Sequence, residues 1–446
     1  MSIELRRLAA AAWRAELPAR RGFEVPTADD ETAAALRALF GRSVSVVDAT
    51  REIVADVRAR GDAAVRDWTR RIDGVDNGDA KVDAAALARA WEETAVDVRD
   101  ALTATAVRLR HVHAAQVDHA NRGDDLAWLR PEPLQRVGCY VPGGRAAYPS
   151  TVLMSVIPAQ LAGVGSIALA SPPGADGRVH RLVLAAAHLL GIGEVHAIGG
   201  AQAVAALAFG TESIPAVDKV VGPGNLFVTL AKREVFGTVG IDLLAGPSEI
   251  LVIASDGADA QLIAADLVSQ LEHDPLAWAV CMTTSEALAD AIAERFAAAA
   301  GSAVRASIIA AAAGSHAAVV VCATLDEAVD LAAAFAPEHL SLQGGDAEAM
   351  RDQVRNAGAV FCGALSPVSM GDYIAGPNHT LPTQGAARYR GPLSVMDFVR
   401  WPSVVELSRD AFEELAPAAS TLARAEGLAG HEAAIRARLD ALEAAR

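Results

Sequence analysis

The chain is 446 residues long, with 52% hydrophobic residues and a formal net charge of −16. A chain of that length buries more than one core, so more than one domain is the default. Its charge excludes a surface of clustered cations: lysine occurs only at Lys81, Lys219 and Lys232, arginine is scattered, and no nucleic-acid partner is expected.

The N-terminal stretch to Phe23 carries charges on both sides of a short alanine-rich run, which is too brief for a signal peptide's apolar core. Cys139, Cys281, Cys322 and Cys362 are widely spaced and form no C-x-x-C pair. Neither a disulfide framework nor a cysteine zinc cluster is suggested, and a reducing cytoplasm is the expected location. From Met1 to about Arg130 apolar residues recur at steps of three and four, as at Val54, Val57 and Val65, which predicts a mainly helical scaffold. Two stretches, 151–171 and 307–324, are apolar enough to resemble membrane spans, but glycine or proline breaks each. Each reads instead as a helix, a turn and a buried strand, and no membrane contact is expected.

From Val137 short apolar runs such as SIALAS alternate with helical ones such as RLVLAAAHLLG, the pattern of βαβ units. A second series runs from EILVIAS to AVFCG. The expected fold is α/β: two doubly wound, incomplete Rossmann-like parallel-sheet domains with helical N-terminal and C-terminal extensions, and a ligand cleft between them. The expected division is a helical arm at 1–33, a discontinuous first α/β domain at 34–136 and 248–393, a second at 137–247 that contacts the cofactor, and a helical tail at 394–446.

No G-x-G-x-x-G follows a predicted strand, so pattern alone supplies no nicotinamide cofactor. In its place stand glycine turns at strand ends: Gly143–Gly144, Gly199–Gly200, and Gly222 to Gly224. Each alone is an ordinary turn; in succession they form a rim where backbone can approach a ligand. Gln270 and His273 lie three apart and share one face at a helix end, compatible with metal ligation, although for an isolated pair the ordinary reading is a histidine favoured by the helix dipole. Pro337-Glu338-His339 sets a carboxylate beside an imidazole at a helix end, just before the strand LSLQGG. Such a pair can divide two proton transfers or simply end a helix. Asp372 and His379 fall in SMGDYIAGPNHTLPT, read as a loop, and Glu426 and His431 fall in the tail.

The segments VGCYVPGG, GGAQAVAALAFGTESIP, VDKVVGPGN, AGPSEILVIA, DLVSQLEHDP, PEHL, GDYIAGPNHTLPT and ARAEGLAGH resemble the histidinol dehydrogenase family, in that family's order and over nearly the whole chain. The resemblance implies NAD-dependent oxidation of L-histidinol through L-histidinaldehyde to L-histidine, the final steps of histidine biosynthesis. Two NAD would be reduced per substrate, and one Zn2+ bound per subunit. By the same resemblance Gln270, His273, Asp372 and His431 are zinc ligands, and Tyr140, Gln202 and Asn225 contact NAD. Ser248, Gln270, His273, His339, Asp372, His379, Glu426 and His431 surround the substrate, and Glu338 and His339 are the catalytic bases. Glu426 and His431 are expected to reach into the neighbouring subunit's site, which implies a homodimer.

The nearest alternative is a member of the same family acting on another small alcohol, such as a sulfonated diol. An anionic substrate would want a cation or neutral donor where this chain has Glu426. A metal-dependent hydrolase and a non-catalytic metal- or nucleotide-binding protein are the readings from other classes. No cysteine falls among the matched positions, so the aldehyde is expected to be oxidised as a hydrate, with water activated by Glu338, rather than as a thiohemiacetal.

Overall fold

The structure, a computed structural model, describes residues 3–17, 23–26, 29–76, 78, 80–117, 120–143 and 147–446. Gly144, one of the turn glycines named above, lies outside the described residues. The chain divides into two compact units, one of 1–116 with 134–398 and one of 117–133 with 399–446.

The first unit holds two parallel sheets. Five strands stand in the order Val195–Ala197, Ser166–Ser171, Arg136–Tyr140, Lys219–Val221, Gly240–Ile241. The order therefore reverses between Arg136–Tyr140 and Lys219–Val221, and at such a switch point the strand ends splay apart into a crevice. The crossover helix Gly200–Phe209 is buried from Ala201 to Ala208, as a helix covered on both sides must be. One cover is the sheet. The other is the N-terminal helical layer, whose Val54, Val57, Val65 and Trp68 share a core with Ala201, Val204 and Leu207. The three- and four-residue periodicity of that layer thus has its physical cause in the face it presents to this helix.

Six strands form the other sheet, in the order Arg6–Ala9, Ala317–Val321, Trp278–Thr283, Glu249–Ala254, His339–Gln343, Ala359–Cys362, with every neighbouring pair parallel. All six residues of Glu249–Ala254 are buried, which is why EILVIA reads as a continuous apolar run after its glutamate. Arg6–Ala9 lies within the segment read as mainly helical, yet it is an edge strand. Four residues are too few to show a period, and only the exposed edge of Ala317–Val321 makes them a strand.

In the second unit Ala127–Leu129 pairs antiparallel with Arg122–Gly123 and Ser403–Val405. Two helices follow, Arg409–Ala425 and Ala429–Ala444, joined at Gly427, whose φ of 74° suits a helix C-terminus. No residue of Ala429–Ala444 is buried. Among the described residues no helix is long and apolar enough to cross a membrane.

Candidate active site

The parallel register that sets Ile250 beside His339 brings the amino ends of two central strands together. Across that ladder Glu249 and Glu338 exchange hydrogen bonds. The Glu249 N–H donates to Glu338 Oε2 at 2.8 Å, and the Glu338 N–H donates to Glu249 Oε2 at 3.2 Å. The other Glu249 oxygen, Oε1, accepts from the Gln384 N–H at 2.9 Å. Glu249 therefore ties the Glu338–His339 dipeptide to the segment that follows His379. The sequence reading missed it, although a lone carboxylate opening an otherwise apolar strand was the available signal. Glu249→Ala would strand two N–H donors, that of Glu338 buried and that of Gln384 half-buried, and unfolding stability measured in urea is expected to fall by about 2 kcal/mol or more.

His339, the first residue of its strand rather than the residue before it, is buried. Its Nδ1 lies 2.8 Å from the Glu249 carbonyl oxygen. A carbonyl only accepts, so Nδ1 carries the proton and Nε2 holds the lone pair. That Nε2 is buried without a hydrogen-bond partner and stands 4.0 Å from Asp372 Oδ1. Burial, reinforced by the His273 and His379 imidazoles, lowers the His339 pKa to about 3. The ring is therefore neutral at pH 7, and its 3.6 Å approach to Glu338 Oε2 is no ion pair.

Glu338 is buried, and burial with the nearby Asp372 carboxylate raises its pKa well above the usual range, against a hydrogen bond from Ser248. Burial also raises Asp372, to about 6. A cation held by Asp372 opposes both shifts. Asp372 lies on the short helix Val368–Tyr373 instead of in a loop, while His379 is in the loop beyond it. His379 Nδ1 donates to the Asp372 carbonyl oxygen at 2.9 Å, so its Nε2 accepts from the Thr151 hydroxyl at 3.3 Å. Burial brings His379 down to about 4. Asn378 anchors this loop, donating to the Met154 carbonyl at 2.6 Å and accepting from the Thr380 N–H at 2.9 Å.

The helix Ala260–Leu271 ends before His273, so the two residues Gln270 and His273 are joined by a turn, in which the His273 N–H donates to the Gln270 carbonyl oxygen at 3.4 Å, and do not share one helical face. Gln270 is buried, and its side-chain Nε2 has no partner. His273 keeps an open face, yet the protein crowds it enough to push its pKa down. Among the described residues no three His, Cys, Asp or Glu side chains gather closely enough to hold a metal ion by themselves.

Tyr140, Gln202 and Asn225 belong to the five-stranded half. Tyr140 ends its strand, and its hydroxyl accepts from the Gly200 N–H at 3.2 Å, at the start of the helix Gly200–Phe209. Gln202 is fully buried and its Oε1 lacks a partner. Asn225 caps the helix Leu226–Val235 by accepting from the Val228 N–H at 3.2 Å. Just before it, Gly222 (φ 112°) passes so close to Tyr140 that a Cβ would overlap the tyrosine carbonyl oxygen, which explains a glycine at this turn. The buried Lys232–Asp242 ion pair holds that glycine: Asp242 Oδ2 accepts from its N–H at 2.7 Å, and Lys232 donates to its carbonyl at 3.0 Å. Glu426 and His431 lie in the second unit, at its helix hairpin, and both are exposed.

The sequence profile of the histidinol dehydrogenase family matches residues 41–439. A histidinol dehydrogenase of Parasynechococcus marenigrum is 49% identical over 392 residues, 87% of this chain and 90% of that protein. One of Prochlorococcus marinus is 47% identical over 406 residues, 90% of this chain and 92% of that protein. The crystal structure of histidinol dehydrogenase from Elizabethkingia anophelis matches with a TM-score of 0.88 at 31% identity, covering 99% of each chain.

Proposed function

This chain belongs to the histidinol dehydrogenase family and oxidises histidinol in histidine biosynthesis, and from that premise we propose a four-electron route from L-histidinol through L-histidinaldehyde to L-histidine. The observation that carries it is a neutral His339 whose Nδ1 proton is held by the Glu249 carbonyl and whose buried Nε2 lone pair is unclaimed, beside Glu338. In the first oxidation His339 Nε2 takes the hydroxyl proton as hydride leaves the alcohol carbon. In the second, His339 returns that proton to the carbonyl oxygen as Glu338 takes one from the water adding to the aldehyde carbon, and His339, neutral again, takes a hydroxyl proton of the hydrate as the second hydride departs. NAD supplies the hydride acceptor, two per substrate, and we assign its contacts to Tyr140, Gln202 and Asn225 in the half spanning 137–247.

We assign one Zn2+ per subunit to Gln270, His273, Asp372 and His431 of the partner subunit. The donor set fits: the Gln270 side-chain Nε2 is a buried polar atom without a partner, and turning the amide over presents its oxygen. When bound, zinc orients the amine and imidazole of the substrate and polarises the reacting oxygen. Ser248, His379 and the partner's Glu426 complete the substrate's surroundings. A homodimer with shared sites is supported by Leu415, Leu422 and Leu428, exposed large apolar residues on or beside the tail hairpin that carries Glu426 and His431. A cytoplasmic location belongs to the same reading.

Supplied with zinc, NAD and L-histidinol, the protein is expected to form two NADH for each histidine released, followed by absorbance and amino-acid analysis. One NADH with accumulating aldehyde would reject the four-electron route. A sulfonated diol should yield no NADH. Stripping the metal with a strong chelator is expected to abolish turnover, and added zinc to restore it; full turnover of metal-free protein would reject the zinc assignment.

A further inference from the structure

We propose that Asp73, on the helical layer preceding the sheets, receives the vicinal hydroxyls of the adenosine ribose and makes the enzyme prefer NAD to its 2′-phosphorylated form. The proposal rests on the reading of NAD as cofactor. In a half-sheet wound in this order, the carboxylate that binds the ribose ordinarily follows the second strand. Here that strand, Ser166–Ser171, is followed by Pro172 and Pro173. Pro172 fills the place by packing so closely on Gly143 and Gly199 that a Cβ on either would overlap it. The carboxyl end of that strand carries no acid; Asp176 stands five residues beyond it, where its Oδ1 accepts from the Arg178 N–H at 3.1 Å.

Asp73 supplies one from another part of the chain. Its Oδ2 accepts a long hydrogen bond, 3.4 Å, from Gln202 Nε2, while Gln202 Oε1 lies against Gly200 with no partner of its own. The Gly200 N–H in turn donates to the Tyr140 hydroxyl. A carboxylate, an amide and a phenol thus gather at the amino end of the helix Gly200–Phe209 and the carboxyl end of the strand Arg136–Tyr140, beside the switch point.

The position is unfavourable for an acid in every other respect. Asp73 is the last residue of the helix Asp62–Asp73, where the negative end of the helix dipole repels it. Burial lifts its pKa to about 6. Among the described residues no cation pairs with it: Arg70 turns to Asp67 and Asp76, and Arg71 lies over the Trp68 ring. Two ribose hydroxyls donating to the carboxylate would offset these costs, whereas a 2′-phosphate would meet like charge.

The test is isothermal titration of the full-length, zinc-supplemented protein with NAD, with the NAD analogue lacking the adenosine 2′-hydroxyl, and with NADP. Asp73→Asn is expected to weaken NAD binding by about tenfold or more, to weaken the deoxy analogue, which keeps only the 3′-hydroxyl, by distinctly less, and to narrow the gap between NAD and NADP. Because the substitution removes a charge from a helix C-terminus, Tm should equal or exceed that of the wild type. NAD affinity within about twofold of wild type, equal losses for NAD and the deoxy analogue, or a Tm lower by several degrees would each overturn the proposal. A wild-type protein that binds no NAD would instead overturn the cofactor reading, and this proposal with it.

Discussion

Glu338→Gln is expected to slow oxidation of L-histidinaldehyde by about 10²- to 10⁴-fold while leaving oxidation of L-histidinol within about tenfold, and His339→Asn to slow the alcohol step by about 10²- to 10⁴-fold. The reason lies in which atoms can take a proton. A glutamine oxygen still accepts the Glu249 N–H that Glu338 Oε2 accepts now, so the strand ends keep their geometry, but it cannot accept a proton from water. Asn at 339 keeps a donor near the Glu249 carbonyl and loses the buried lone pair at Nε2. Supplying alcohol and aldehyde separately and following NADH separates the half-reactions. Equal losses in both half-reactions for both variants would reject the division between the two bases.

The second large effect comes from mixing inactive chains. Asp372→Ala and His431→Ala are each expected to abolish activity as homodimers, since every site then lacks one proposed zinc ligand. In a dimer of one chain of each kind, both lesions fall in one site and the other keeps its full ligand set. Random reassociation makes about half of the dimers mixed with one working site each, so activity should return to about a quarter of wild type. His431 is exposed, and its truncation should leave folding intact, which unfolding curves will check. Mixed dimers confirmed by mass yet as inactive as their parents would place both ligands in one chain and reject the shared site.

Some of this was legible along the chain because its signals are local. Alternating apolar runs announce buried parallel strands, and SIALAS and EILVIAS became strands of separate sheets. Glycine at 222 reports a turn that only glycine can make. The ordered segments, from VGCYVPGG to ARAEGLAGH, were sufficient for the family. What periodicity could not show depends on partners far apart in sequence. Arg6–Ala9 is a strand because Ala317–Val321 offers it an edge. Glu249 and Glu338, 89 positions apart, meet only because parallel register aligns the amino ends of their strands. The same register decides which nitrogen of His339 carries the proton, by setting a carbonyl against Nδ1. Asp73 reaches Gln202 only because its helix packs on Gly200–Phe209 through Val65 and Trp68. A residue's type and spacing specify what it can do chemically, whereas its protonation and its partners depend on the low-dielectric surroundings that only the packed sheets create.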